Sequence, residues 1–198
     1  VDEIMGHTMR SHTLISSMQH PLPCTGSRGF TVIELMITIV LLVILIGLAA
    51  PSFSNIVRDQ RVKTATFDVY ASLVFARSEA IKRNQRVAVC AKNADGSGCE
   101  NSTDWARGWI VYLDADGNGF PGAVSDILKT QDTISKITVT GTGTNVTYQG
   151  DGRLRAAVPV FVLSSPDNSA ITARCVRLDV SGRPNVKVDT DKSVAGCQ

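Results

Sequence analysis

Gly29-Phe30-Thr31-Val32-Ile33-Glu34-Leu35-Met36-Ile37-Thr38-Ile39-Val40-Leu41-Leu42-Val43-Ile44-Leu45-Ile46-Gly47-Leu48-Ala49-Ala50-Pro51 is an apolar run interrupted by a single carboxylate, Glu34. As a helix it is long enough to cross a bilayer, whose hydrocarbon core takes about 20 apolar residues. A charge inside such a span costs roughly 2.5–3.5 kcal/mol on insertion scales, so a carboxylate kept there reads as functional. A secretory signal peptide fits poorly. Its apolar region is shorter, it ends at a small-residue cleavage site, and neither Glu34 nor Pro51 suits one. A generic membrane anchor accounts for the length but not for Gly29, Phe30 and Glu34.

Helical character continues beyond the run. From Phe53 to about Arg83 there is no Gly or Pro, and Val62, Ala65, Val69, Leu73, Ala76 and Ala80 recur at steps of three and four. That spacing makes one apolar stripe, with Arg61, Asp68 and Ser72 expected on a solvated face. One helix is therefore predicted over residues 30–83, apolar all round at first and amphipathic afterwards, with Pro51 a place for a kink. Past Asn84 the pattern shortens. Residues 87–91, 109–113, 134–140, 145–148, 158–163, 175–180 and 186–188 read as strands punctuated by Gly, Asn, Asp and Pro. A helix followed by strands without returning helices predicts an α+β fold, the stripe laid on an antiparallel β-sheet or sandwich.

The chain has 198 residues and a formal net charge of +2, too small by itself to imply a polyanionic partner. His7, His12 and His20 all precede Gly29. A chain cut at Gly29 would hold no histidine, the commonest general base and metal ligand, which argues against an enzyme; no cofactor is expected. Such a cut would also remove Cys24 and leave Cys90, Cys99, Cys175 and Cys197. The expected pairs are Cys90–Cys99 and Cys175–Cys197, each closing a local loop, among the three connectivities that four cysteines allow. Bridges of this kind need an oxidising compartment. A four-cysteine zinc site wants pairs two to four residues apart, which these are not.

The Gly29-Phe30 junction, followed by Thr31-Val32-Ile33-Glu34-Leu35 and an apolar helix, resembles the processing signature of type IV pilins and of the pseudopilins of type II secretion. Trp105-Ala106-Arg107-Gly108-Trp109-Ile110-Val111-Tyr112-Leu113-Asp114, the helix segment Ala76-Arg77-Ser78-Glu79-Ala80 and the Gly152 and Gly182 turns look like its GspH/FimT branch. The resemblance covers residues 29–198. It implies a leader over 1–29, a membrane and filament-core helix over 30–51, an amphipathic helix over 52–84 and a periplasmic β-rich domain over 85–198. It also implies prepilin peptidase cleavage between Gly29 and Phe30, N-methylation of Phe30, and an assembly role for Glu34. The implied partners are other minor and major pilins or pseudopilins, the peptidase, an inner-membrane assembly platform and, before assembly, membrane lipid. Leaders of the family are short and basic. This one carries Asp2 and Glu3, and Met18 would start a more compact leader.

Two ligand readings stand beside the structural one. Asp114, Asp116 and Asn118 place oxygens at alternate positions before Gly119, as calcium loops do, but Ser125 stands where an EF-hand has a bidentate Glu; a solvated hairpin turn is the simpler expectation. Some FimT-type pilins are implicated in DNA uptake through a Gly-Arg-x-Arg tail. Here Gly182-Arg183-Pro184-Asn185 keeps the first Arg only, and Gly152-Arg153-Leu154-Arg155 carries the motif ahead of a strand. Arg174, Arg177, Arg183 and Lys187 are the candidate DNA contacts, a patch able to hold phosphates in a salt-dependent way, though without an interleaved aromatic. Trp105 and Trp109 are expected in the core, Gly108 allowing close backbone approach.

Overall fold

The computed structural model describes residues 29–156, 158–189 and 197, with side chains at 48–52 excepted. The expected leader up to residue 28, with Met18 and Cys24, lies outside the described residues. By compactness the chain divides into Val1–Ile44 and Leu45–Gln198.

Helix α1 (Val32–Arg83) is one continuous element that runs through Pro51. It begins two residues later than expected because Thr31 caps it: the Thr31 Oγ1 accepts the Glu34 N–H at 3.2 Å. Thr-x-x-Glu is the capping-box spacing, and the hydroxyl satisfies a donor that has no partner inside the helix. The other end closes on Asn84, which takes φ 50°. The Gln85 N–H then reaches the Ala80 carbonyl at 3.2 Å and the Asn84 N–H the Ile81 carbonyl at 3.3 Å. These are the paired bonds of a Schellman stop, and Asn tolerates the left-handed conformation it needs.

Eight strands follow: β1 (Val87–Ala91), β2 (Trp109–Leu113), β3 (Ile127–Gln131), β4 (Thr138–Gly141), β5 (Asn145–Tyr148), β6 (Val160–Ser164), β7 (Ala173–Leu178) and β8 (Pro184–Asp189). They form two antiparallel sheets, ordered β3-β2-β1-β5 and β4-β6-β7-β8. The expected α+β architecture holds. Val62, Ala65, Val69, Leu73, Ala76 and Ala80 are all buried, in one cluster with Val87, Val89 and Val111 from the first sheet and Phe161, Leu163, Val176 and Leu178 from the second. Trp105 and Trp109 sit in that cluster at 1 % exposure, Trp105 edge-on to Phe161 with ring centroids 4.8 Å apart. The Trp105 indole N–H is satisfied by the Gly143 carbonyl at 3.2 Å.

The helix covers only one face of each sheet. The other face of the first holds Ala88, Cys90, Ile110 and Tyr112, and that of the second holds Val160, Val162, Cys175 and Cys197. Each outer face carries a disulfide, Cys90–Cys99 on one and Cys175–Cys197 on the other. Among the described residues no helix covers either of these faces. Each disulfide contributes about 2–4 kcal/mol through the unfolded state.

Several local expectations need correction. Ser72 is fully buried rather than solvated; it flanks the stripe closely enough for the sheets to cover it. The strand expected over 134–140 is only β4, because Lys136 takes φ 63° and turns the chain before it. β3 was not expected. It is a partly buried edge strand, placed by its pairing of Gln131 with Trp109. β7 begins at Ala173 and ends at Leu178, and β8 extends to Pro184 and Asp189; a proline is tolerated there because β8 is an edge.

Asp68 is half-buried beside the stripe, and burial pushes its carboxyl above the ordinary aspartate range against the attraction of Lys129. A raised folded-state pKa means that ionised Asp68 destabilises the fold, and that the penalty vanishes once pH falls to where both states are protonated. Asp68→Asn is therefore expected to melt higher than the parent at pH 7. Near pH 3.5 the difference should shrink towards zero in parallel thermal melts. A constant difference at both pH values would assign the effect to packing.

Candidate functional site

The N-terminal residues named by the sequence lie together. Gly29 and Phe30 stand outside the helix, with Phe30 83 % exposed. Glu34 follows in the first turn, its N–H held by Thr31, and the positive end of the helix favours a carboxylate there. Along the same segment Val32, Ile33, Leu35, Met36, Ile37, Ile39, Val40, Leu41, Leu42, Val43, Ile44, Leu45 and Ile46 are each more than half exposed. Every side of this helix is apolar. Covering that surface is worth on the order of 10 kcal/mol or more at ~25 cal/mol per Å², so it calls for lipid or other helices. Among the described residues no helix is long and apolar enough to cross a membrane; the 30–51 segment includes residues 48–51, whose side chains are not described.

The Asp114–Gly119 loop is held from outside by two guanidinium groups. Arg86 donates through Nε to the Asp114 carbonyl at 3.1 Å and through Nη2 to the Ala115 carbonyl at 2.9 Å. Arg155 donates to the Gly117 carbonyl at 2.8 Å. Gly117, at φ 77°, leaves room for the Arg86 guanidinium, which would lie 2.7 Å from a Cβ placed there. Within the loop, Asp116 accepts from the Asn118 backbone and side chain at 3.2 and 2.7 Å, and Asn118 accepts from the Phe120 N–H at 2.7 Å. Asp114 is fully buried, with Oδ1 accepting the Gly119 N–H at 3.1 Å. The guanidinium groups thus sit on backbone carbonyls of the loop and not on its candidate side-chain ligands, of which the buried Asp114 Oδ2 has no hydrogen-bond partner. Neither Arg86 nor Arg155 was assigned to this loop by spacing alone. Tyr112, whose hydroxyl donates to the Gly119 carbonyl, is pushed well above the ordinary tyrosine range by burial and by Asp114 and Asp116.

The C-terminal cations separate. Arg177, Arg183 and Lys187 line one cleft of about 680 Å³ with Val158, Val180 and Asp179. Arg174 faces the other way: β7 alternates, and Arg174 pairs with Val188 whereas Lys187 pairs with Cys175. Three of the four candidate DNA contacts thus share one face. Asp179 lies among them, its carboxyl held below the usual range by the Ser181 hydroxyl, the Arg183 N–H and the Arg183 charge.

Comparison with known proteins agrees with both ends of this description. A family model described as type II transport protein GspH matches residues 65–182, and one described as the prokaryotic N-terminal methylation motif matches residues 24–50. Among solved structures, the type IV minor pilin FimU of Pseudomonas aeruginosa (strain PAO1) is similar at 17 % identity with a TM-score of 0.51, over 68 % of this chain and 92 % of that one. The minor pseudopilin EpsH from the type 2 secretion system of Vibrio cholerae aligns at 12 % identity with a TM-score of 0.45, over 65 % of this chain and 95 % of that one. The likeness to FimU shows a shared fold. No curated protein sequence matches.

Proposed function

The chain belongs to the family of type II transport protein GspH, and from that premise we propose that it is a minor pilin or pseudopilin, a structural subunit that helps initiate a type IV pilus or a type II secretion pseudopilus. The observation that carries this reading is the N-terminal segment: a methylation motif over residues 24–50, which contains the start of a helix apolar on every side with one carboxylate in its first turn. A prepilin peptidase cuts between Gly29 and Phe30, and the new Phe30 amine is methylated. Residues 30–51 are stored as a single inner-membrane span, and residues 85–198 lie in the periplasm, where the two disulfides form. On extraction the apolar helix exchanges lipid for the helices of other subunits. Glu34 pairs there with a neighbour's N-terminal amine. The globular domain acts as an adaptor near the filament tip, without catalysis of its own.

The test is the intact mass of the protein purified from membranes of a cell that holds a prepilin peptidase. A mass starting at N-methylated Phe30, four hydrogens below the reduced chain, is expected. A mass that retains residues before Phe30 would reduce the segment to an ordinary anchor. A second reading, a minor pilin that takes up DNA on the same scaffold, is favoured by the cleft that gathers Arg177, Arg183 and Lys187. It requires DNA binding that weakens steeply with salt and is lost in Arg183→Ala and Lys187→Ala. Calcium at Asp114, Asp116 and Asn118 has less support, given the guanidinium groups already on that loop.

A further inference from the structure

A buried carboxylate stands beside one of the two disulfides. Asp189 ends β8 at 2 % exposure, and Cys175 and Cys197 are fully buried. One Asp189 carboxylate oxygen and both Sγ atoms lie within 4.8 Å of one another. Strand pairing explains the convergence. Lys187 stands opposite Cys175 and Asp189 opposite Ala173, and side chains two residues apart on a strand share a face. Asp189 is therefore a diagonal neighbour of Cys175 across the β7–β8 ladder. Val160 and Val162 of β6 pack on the same face.

Placing a carboxylate there is costly, because burial penalises its charged form. The closed disulfide gives nothing in return, since neither sulfur then carries a proton to donate. The open pair is different. Each thiol is a donor, and a thiol must lose its proton before its sulfur attacks, because the thiolate is the nucleophile of exchange. Apolar surroundings raise a thiol's pKa, so a Cys175 thiol packed with Val160 and Val162 needs a base within reach. The Lys187 charge also favours a thiolate, but Lys187 is exposed and water screens it.

We propose that Asp189 is the general base that closes the Cys175–Cys197 bridge, with a disulfide of the glutathione class as oxidant. Cys175 sits on β7, between β6 and β8, whereas residue 197 lies outside the strands, so Cys197 meets the oxidant first. Its sulfur bonds one half of the oxidant as a mixed disulfide, and the other half leaves as a thiol with the Cys197 proton. Asp189 then takes the Cys175 proton, the Cys175 sulfur attacks the Cys197 sulfur, and the bond from Cys197 to the oxidant breaks. The departing thiolate recovers the proton from Asp189. Two protein thiols are oxidised to one disulfide, and the oxidant is reduced to two thiols. None of this depends on the filament reading.

The full-length protein, reduced with dithiothreitol and freed of it, would be mixed with oxidised glutathione. Quenched samples, alkylated and mapped by mass spectrometry, follow each bridge separately. Asp189→Asn is expected to close Cys175–Cys197 about 100-fold more slowly, the lower end of what a positioned base contributes, and to accumulate glutathione on Cys197. Cys90–Cys99 should close at the parent rate in the same samples, which reports that the domain has folded. Asp189→Glu keeps a base and should restore most of the rate. Equal or faster closure in Asp189→Asn would overturn the proposal, as would slow closure without the glutathione adduct or a deficit that follows Lys187→Met instead. Slowing of both bridges alike, unrelieved in Asp189→Glu, would assign Asp189 to folding and overturn it too.

Discussion

Gly108→Ala is expected to lower the stability of the globular domain by about 3–6 kcal/mol, from the strain of a forbidden backbone conformation and from collision with a fixed neighbour. Gly108 has φ 103°, beyond the left-handed well that other residues reach. A Cβ there would strike the Gln131 carbonyl oxygen and come within 3.0 Å of the Asp132 carbonyl carbon. Both are backbone atoms, so no side chain can swing away. The position is also tied on both sides. The Gly108 N–H bonds the Trp105 carbonyl and its own carbonyl accepts the Lys92 N–H, each at 3.0 Å. A shift to relieve the collision would pull Trp105 off Phe161 or part β2 from β3. For a domain of this size each kcal/mol moves the melting temperature by about 2–4 °C, so thermal melts should show a drop of roughly 6–24 °C. Gly96 supplies the contrast. Its φ is 74° and a Cβ there meets nothing within 4 Å. Gly96→Ala should therefore lose only about 1 kcal/mol of conformational strain. Equal losses at the two positions would refute the collision argument.

How far the sequence discloses the molecule depends on whether a feature is local. The stripe of Val62 to Ala80 is a period, and α1 buries it whole. Residues 87–91, 109–113 and 145–148 are each fenced by turn residues and are strands at those bounds. β3 has no such fence. Lys129 and Gln131 dilute its pattern, and it exists because β2 offers a partner across a bulge. Residues 134–140 fail for the opposite reason: Ile134 and Ile137 look like strand residues, but the positive φ of Lys136 is invisible to composition. The separation of Arg174 from Arg177 was available in the sequence, since residues an odd number apart on one strand point to opposite faces. So was the Thr31 cap, three residues before Glu34. The hold of Arg86 on the Asp114 loop was not. It spans 28 residues and exists only once β1 and β2 have paired.

Glu34→Ala is expected to leave cleavage and membrane insertion intact while reducing entry into the filament by about 100-fold or more. The carboxylate lies in the first turn of an otherwise apolar segment. The helix terminus returns about 0.3–1 kcal/mol to it, which is less than the roughly 2.5–3.5 kcal/mol that burying it in lipid costs. In the stored state, then, Glu34 is a net liability, and alanine should insert at least as readily. The balance reverses when a cation comes within reach. On the proposed function, cleavage before Phe30 makes one in every subunit, and a pair at 4 Å gains about 4 kcal/mol at an effective dielectric of 20. Both subunits gain, because the amine is no more comfortable among apolar helices than the carboxylate is. Removing Glu34 forfeits this term and strands a neighbour's amine, which together exceed the 2.7 kcal/mol that corresponds to about 100-fold. Glu34→Gln keeps the size without the charge and should fail likewise, whereas Glu34→Asp should retain part of the function. An uncleaved Gly29→Val chain, which has no free amine at Phe30, should be excluded for the complementary reason. Quantifying each variant in sheared filaments against membrane pools separates the cases, and wild-type entry of Glu34→Ala would remove the charge pair from the assembly mechanism.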